Sequence, residues 1–181
     1  MALTLISTHT ASASATLDIT SGIDSTYDSY EFHYVNMHPA SDGVTFQFQV
    51  NAAGQTGFNE VMTTTAFHTH HNESDTSTLL AYDTAEDKAQ ATTYQSIGSW
   101  GTGNDNDQSV SGILTLYAPS STTYVKHFTA MGNGYHSGDF SLSLYTAGYI
   151  NVTAAIDEIS FKFASGNIDA GQIKMYGIAK A

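Results

Sequence analysis

The chain has 181 residues, 41% hydrophobic and 12% aromatic, enough apolar material for one packed domain over residues 1–181 and too much for a disordered chain. Its basic residues are five Lys and no Arg, set against 17 acidic residues, for a formal net charge of −12. That balance excludes nucleic-acid backbones and anionic membranes as partners, and the absence of Cys excludes disulfides and thiolate metal sites.

The opening MALTLISTHTASASATLDIT has no basic n-region and no apolar run of signal-peptide length. No stretch of the chain reaches the roughly 20 apolar residues of a membrane span. The expected product is soluble and cytoplasmic.

Residues 2–7 read as a first strand, residues 8–15 as a small-residue linker, and Leu17, Ile19 and Ile23 as a second strand. Over residues 28–38, Tyr30, Phe32 and Tyr34 alternate with Glu31, His33 and Val35, the period of a half-buried strand, and Pro39 closes it. Ser41-Asp42-Gly43 supplies a turn, after which Val44, Phe46, Phe48 and Val50 alternate with Thr45, Gln47 and Gln49; the pattern predicts a hairpin over residues 30–50. Val61 to His70 is a Thr-rich strand carrying Phe67. Residues 71–98 lose the two-residue period and turn helix-like in composition from Thr84 to Thr92, so one short helix or a long crossing loop is expected there. Gly98 to Asp107 is a Gly/Asn-rich loop holding the single Trp.

Strands return at residues 109–119, 122–130 and 140–150, the last two separated by Asn133-Gly134 and Ser137-Gly138-Asp139. In the closing stretch Ile159, Phe161 and Phe163 alternate with Ser160, Lys162 and Ala164. Ser165-Gly166-Asn167 offers turn chemistry, and Ile173 and Met175 flank Lys174. The prediction is a terminal antiparallel hairpin. Tyr176 and Ile178 share the face of Lys174 on either side of Gly177. Either a bulge at Gly177 switches the inward face, or both faces are covered, and Tyr176 and Ile178 become candidate interface residues. About nine strands with turn signals between them predict an all-β, single-domain antiparallel β-sandwich, jelly-roll-like in its long crossings.

Few residues suggest chemistry. His68 and His70 are two apart on a strand, so both imidazoles could face one metal ion, and three copies about a trimer axis would supply six nitrogens. The plainer reading is a pair of polar histidines at a strand end. Asn104 to Asp107 offers oxygen ligands but lacks the Gly and distal Glu of a calcium loop. No G-x-S-x-G elbow occurs and the carboxylates fall mostly in turns, so no catalytic residue and no cofactor is expected. Trp100 and Tyr135, in or near loops, are candidates to stack on a sugar ring or anchor a neighbouring subunit.

Three stretches carry a family likeness: LTLISTHTASASATLDITSGIDSTYDSYEFHYVNMHP, GTGNDNDQSVSGILTLYAPSSTTYVKHF and SGNIDAGQIKMYGI. With these, nearly all of the chain resembles a group of small virion proteins of marine tailed phages. The most distinctive pieces are S-G-I-D-S-T-Y-D-x-Y at residues 21–30 and S-G-x-I-x-x-G-x-I-x-x-Y-G-I at residues 165–178. The resemblance implies a non-enzymatic β-sandwich of the virion, often trimeric, and transfers no functional residues. Its partners would be its own copies, as a homotrimer, and the major capsid protein or another virion protein. A first strand expected close to Met1 would leave no room for a fibrous shaft, and the expectation is therefore a capsid decoration or cement protein. The alternative is a tail-fibre or appendage tip that binds host-surface carbohydrate.

Overall fold

The computed structural model describes residues 3–179, and these form thirteen strands and no helix. The strands are β1 (Leu3–Thr10), β2 (Leu17–Ile19), β3 (Ser29–Pro39), β4 (Phe46–Ala52), β5 (Met62–Asn72), β6 (Thr78–Tyr82) and β7 (Lys88–Ala91). They continue as β8 (Gln95–Ser96), β9 (Val110–Tyr117), β10 (Lys126–His136), β11 (Phe140–Ile150), β12 (Ile156–Phe163) and β13 (Ile168–Ile178). All pairings are antiparallel. They build a nine-stranded sheet in the order β1-β13-β3-β9-β10-β11-β5-β6, with β7 also on β5, and a four-stranded sheet in the order β2-β12-β4-β8. The β-sandwich expected from the alternation is therefore the fold. Ala2, expected in the first strand, lies outside the described residues.

The two strand orders mirror each other. Four successive pairs, β1–β2, β12–β13, β3–β4 and β8–β9, each place one strand in the large sheet and one in the small, and they stand side by side in the same order in both. This wrapped stacking of arches is the jelly-roll pattern. It corrects the two expected hairpins: residues 30–50 and 155–178 do not pair within themselves but cross from sheet to sheet. Alternation tells which residues share a face. It does not tell whether the next strand lies beside the first or opposite it. Here the inward rings meet across the gap, Tyr34 against Phe46 at 5.3 Å and Phe32 against Phe161 at 5.7 Å between centroids.

These rings, with Phe48, Phe128, Phe163, Met37 and Met175, form one buried core between the sheets. The Tyr34 hydroxyl, at its far side, donates to the carbonyls of Ile97 and Met131. It can do so because Gly112 and Gly132 present no Cβ, which would stand 2.3 Å and 2.5 Å from that oxygen. At the sandwich end Lys126 is buried, and its ammonium donates to the carbonyls of Val152, Thr153 and Ala154. Those bonds, with the charge of the nearby Glu60 carboxylate, make the buried cation tolerable.

Two more local expectations change. Residues 71–98 hold β6, β7 and β8 in place of a helix or long loop. The single long strand β5 supplies an edge to two short partners in turn, β6 over Phe67–His71 and β7 at Met62 and Thr64. Between them, Asp83 accepts from the amide of Ala85 through its carboxylate and from those of Glu86 and Asp87 through its carbonyl, which spends the helix-like composition on one turn. In β13 the irregularities lie between Ile168 and Gln172, around Gly171, and not at Gly177. Gly177 continues the buried side of Ile173 and Met175, and the Tyr27 ring covers it where a Cβ would sit, 2.4 Å away.

Candidate functional site

Two places on the molecule gather side chains that the core does not use. The first is a cleft beneath the single-layered half of the large sheet. On the inner side of β5, His68 and His70 lie parallel with ring centroids 5.8 Å apart. Trp100 stands edge-on to His68 at 5.4 Å and to His136 at 5.0 Å, and Phe140 stands edge-on to both His70 and His136. The loop that brings Trp100 there depends on Gly101, at φ +72°, where a Cβ would fall 2.3 Å from the His136 ring. Backbone bonds then fix the loop, Thr102 to Val44 on one side and Gly103 to Tyr135 on the other.

Asp83 and Glu86 line the same cleft, of about 600 Å³, with His68, Trp100 and His136. His68 is 7% exposed, and its Nδ1 lies 3.0 Å from Asp83 Oδ2, a contact whose geometry falls short of a hydrogen bond. Burial pushes the Glu86 carboxyl above its ordinary value, with the nearby Asp83 charge adding to it and a hydrogen bond with Ser96 opposing. Burial likewise holds His136 below the usual imidazole value, reinforced by His70. The buried indole Nε1 of Trp100 has no hydrogen-bond partner among the described residues.

The cleft holds residues named in two of the expectations. His68 and His70 do share a face, with His68 buried beside Trp100 and Asp83 and His70 half-buried. Among the described residues no group of three or more His, Asp or Glu is placed to hold a metal ion. Trp100 stands edge-on to two histidines and also lines the cleft. Nothing in the sequence signals the gathering itself, because His68, the pair Asp83 and Glu86, and His136 come from three separate parts of the chain, and that pair falls in the stretch over residues 71–98 that loses the two-residue period.

Tyr135 lies elsewhere, on the outer side of β10. It borders a polar hollow of about 460 Å³ with His71, Asn72, Glu73 and Asp75. Its hydroxyl donates to Glu73 Oε1 at 2.9 Å, and that bond raises its pKa to about 12, with the Glu73 and Asp139 charges assisting. Trp100 and Tyr135 thus do not form one site.

The second place is the outer face of the large sheet, which no layer covers. Across β6, β5, β11, β10 and β9 the outward positions contain no Asp, Glu or Lys, in a chain of net charge −12. Cross-strand register sorts them into rows. One row is large: Tyr82, Phe67, Tyr145, Met131 and Ile113. Phe67 and Tyr145 stack within it, 4.7 Å between centroids and 4° from parallel. The next row is small, Thr65, Ala147, Thr129 and Thr115, and forms a shallow trough of about 340 Å³ along the large one. Beyond it stand Tyr149 and His127, with Tyr117 one residue past the Leu116–Phe128 pair. On the other side of the large row runs another small row, Thr69, Ser143, Asn133 and Ser111, ending in Leu80 at the sheet edge.

Phe67 is 45% exposed, Met131 51% and Leu80 69%, so the apolar atoms of this face are open to solvent in the single chain. Acidic side chains stand at its end and side: Glu73, Asp75 and Asp139 near Tyr135, and Asp87, which accepts from the Tyr82 hydroxyl at 2.6 Å. Tyr176 and Ile178 belong to the same outer face farther along, on β13, both half-buried, with the Tyr176 ring 4.7 Å from that of His33. The expected second covered face is present as a surface, but its apolar centre lies several strands from Tyr176. No protein-family model, no curated protein and no solved structure matches the chain.

Proposed function

We propose that this chain is a structural protein of a tailed-phage particle, a capsid decoration or cement protein that acts through protein–protein contacts and turns over no substrate. The observation that carries the proposal is the outer face of the large sheet. It is broad, apolar along one row and free of charge over five strands, in a protein that is otherwise acidic. Solvent-facing sheets of monomeric proteins carry charges that keep other proteins off, and a contiguous apolar patch marks a contact surface. The likeness of residues 21–30 and 165–178 to virion proteins supplies the setting: its own copies, and the major capsid protein or another protein of the particle. Mass spectrometry of purified particles tests the proposal. The chain should be present at a stoichiometry tied to the capsid lattice, and electron cryomicroscopy should place it on that lattice. Absence from the particles refutes it.

A second reading has its own observation. The cleft that gathers Trp100, His68, His136, Asp83 and Glu86 has the mixture of one aromatic and several polar groups that a carbohydrate pocket uses, as an appendage tip would need. A glycan array with signal for the native chain, abolished by Trp100→Ala, would favour it. No signal would remove it.

A further inference from the structure

We infer that a second copy of this chain covers the outer face, in a twofold-symmetric pair with the two large sheets packed face to face. The twofold axis lies in the contact plane and runs along the rows, between that of Phe67 and that of Thr65. This rests on reading the face as a contact surface, and it names the occupant.

The argument is one of shape. Along each strand the outward rows are about 6.8 Å apart, two residues of rise. In order they run small (Thr69, Ser143, Asn133), large (Phe67, Tyr145, Met131), small (Thr65, Ala147, Thr129) and large (Tyr149, His127). A rotation of 180° about an axis midway between the two central rows lays each row of one copy over the row equally distant on the other side. On β11 and β10 large then meets small in every row, and on β5 Phe67 meets Thr65 while Thr63 meets Thr69, small on small. Each strand also faces its own counterpart. Tyr145 comes down on Ala147 of the second copy, Met131 on Thr129, and, one row farther out, Tyr149 on Ser143. An axis on either neighbouring row would set large against large. Aligned sheets cross at about 30° and pack about 10 Å apart, so the match holds best near the centre, on β10 and β11.

Charge and area point the same way. Two chains of net charge −12 approach only where neither carries charge, and the five strands offer that. A basic partner would find nothing here to recognise. In plan the uncharged rows cover roughly 650 Å², more once side-chain relief is counted, against about 800 Å² per partner in a stable complex. An isologous contact requires a self-complementary patch, and this patch is one.

Sedimentation equilibrium on the full chain tests the pairing. The native protein should weigh twice its 19.3 kDa chain mass. Ala147→Tyr fills the small row at two symmetry-related places and should weaken association about 100-fold. Met131→Asp, which would bury two like charges near the axis, should give the single-chain mass. Lys162→Gln, on the outer side of the four-stranded sheet, should leave the double mass intact. Near-UV circular dichroism and melting confirm that each variant is folded. A native single-chain mass up to about 1 mM, a threefold mass, or a pair indifferent to Ala147→Tyr and Met131→Asp each overturns the inference. A pair that forms, in a protein absent from particles, would sink the proposed function and leave the pairing standing. A particle-bound chain that never pairs would do the reverse.

Discussion

The two halves of the large sheet solve the same problem differently. Under β1, β13, β3 and β9 the four-stranded sheet supplies a second layer, and aromatic rings fill the gap between them. Under β10, β11 and β5 that layer reaches only part of the way: the core takes in Phe128, Ala130, Ile150 and Met62, and β8 meets Thr64 and Thr146 through Gln95 and Ser96. A small cluster of Ala66, Leu142 and Leu144 is closed by Trp100 from a loop, and the cleft beside it holds histidines and carboxylates. Stability is concentrated in the first half. The second half keeps its inner face only thinly covered and its outer face bare, which is the arrangement of a surface held ready for another molecule.

Removing a ring from the two-layered half should cost most. Phe161, fully buried between Phe32 and Phe46, makes Phe161→Ala a loss of about 3–5 kcal/mol, seen as a fall of roughly 10 °C in melting temperature. Leu144→Ala, in the thin half, should cost about 2–3 kcal/mol in urea unfolding, since the Trp100 loop can settle into part of the space. Equal losses would break the contrast between the halves. Tyr34→Phe tests the seam between them. It leaves the carbonyls of Ile97 and Met131 without the hydroxyl, for about 1–2 kcal/mol.

Smaller still is Glu86→Gln. The folded-state pKa of Glu86 is raised, so the carboxyl's contribution to stability is fully present below about pH 4.5 and is lost as pH rises through the folded value. At neutral pH the Gln variant should therefore melt about 1–2 °C higher than the native chain, a modest gain because the carboxylate still meets solvent, and the difference should vanish in acid. A variant less stable at neutral pH would show that the charge is held favourably by its neighbours. Tyr176→Asp, at the margin of the outer face, should weaken pairing by about tenfold or less. Unchanged assembly would end its candidacy as an interface residue.

Much of this fold was legible because inward rings recur every second residue. Tyr30, Phe32 and Tyr34, or Phe46 and Phe48, announce strands and a buried side without ambiguity. What they do not carry is the partner, which is why two arches read as hairpins. Gln90 shows a different limit: the helix-like stretch around it became strand because its amide and side chain both found Thr63 of β5, a tertiary contact that overrides local preference. The outer face was half visible. Thr and Ser in alternate positions announced a polar side of the strands, but the rows that make large meet small exist only once register fixes which residues of β5, β11, β10 and β9 stand level.

Methionine oxidation tests that face most directly. Met37, Met62 and Met175 are fully buried, whereas Met131 is 51% exposed in the single chain and lies in the central large row. With dilute peroxide, followed by peptide mass spectrometry, Met131 should oxidise quickly in dilute protein. It should become protected as concentration rises through the range where the mass doubles, while the three buried residues stay slow throughout. An oxidation rate at Met131 that is the same in the paired and single states would contradict the account.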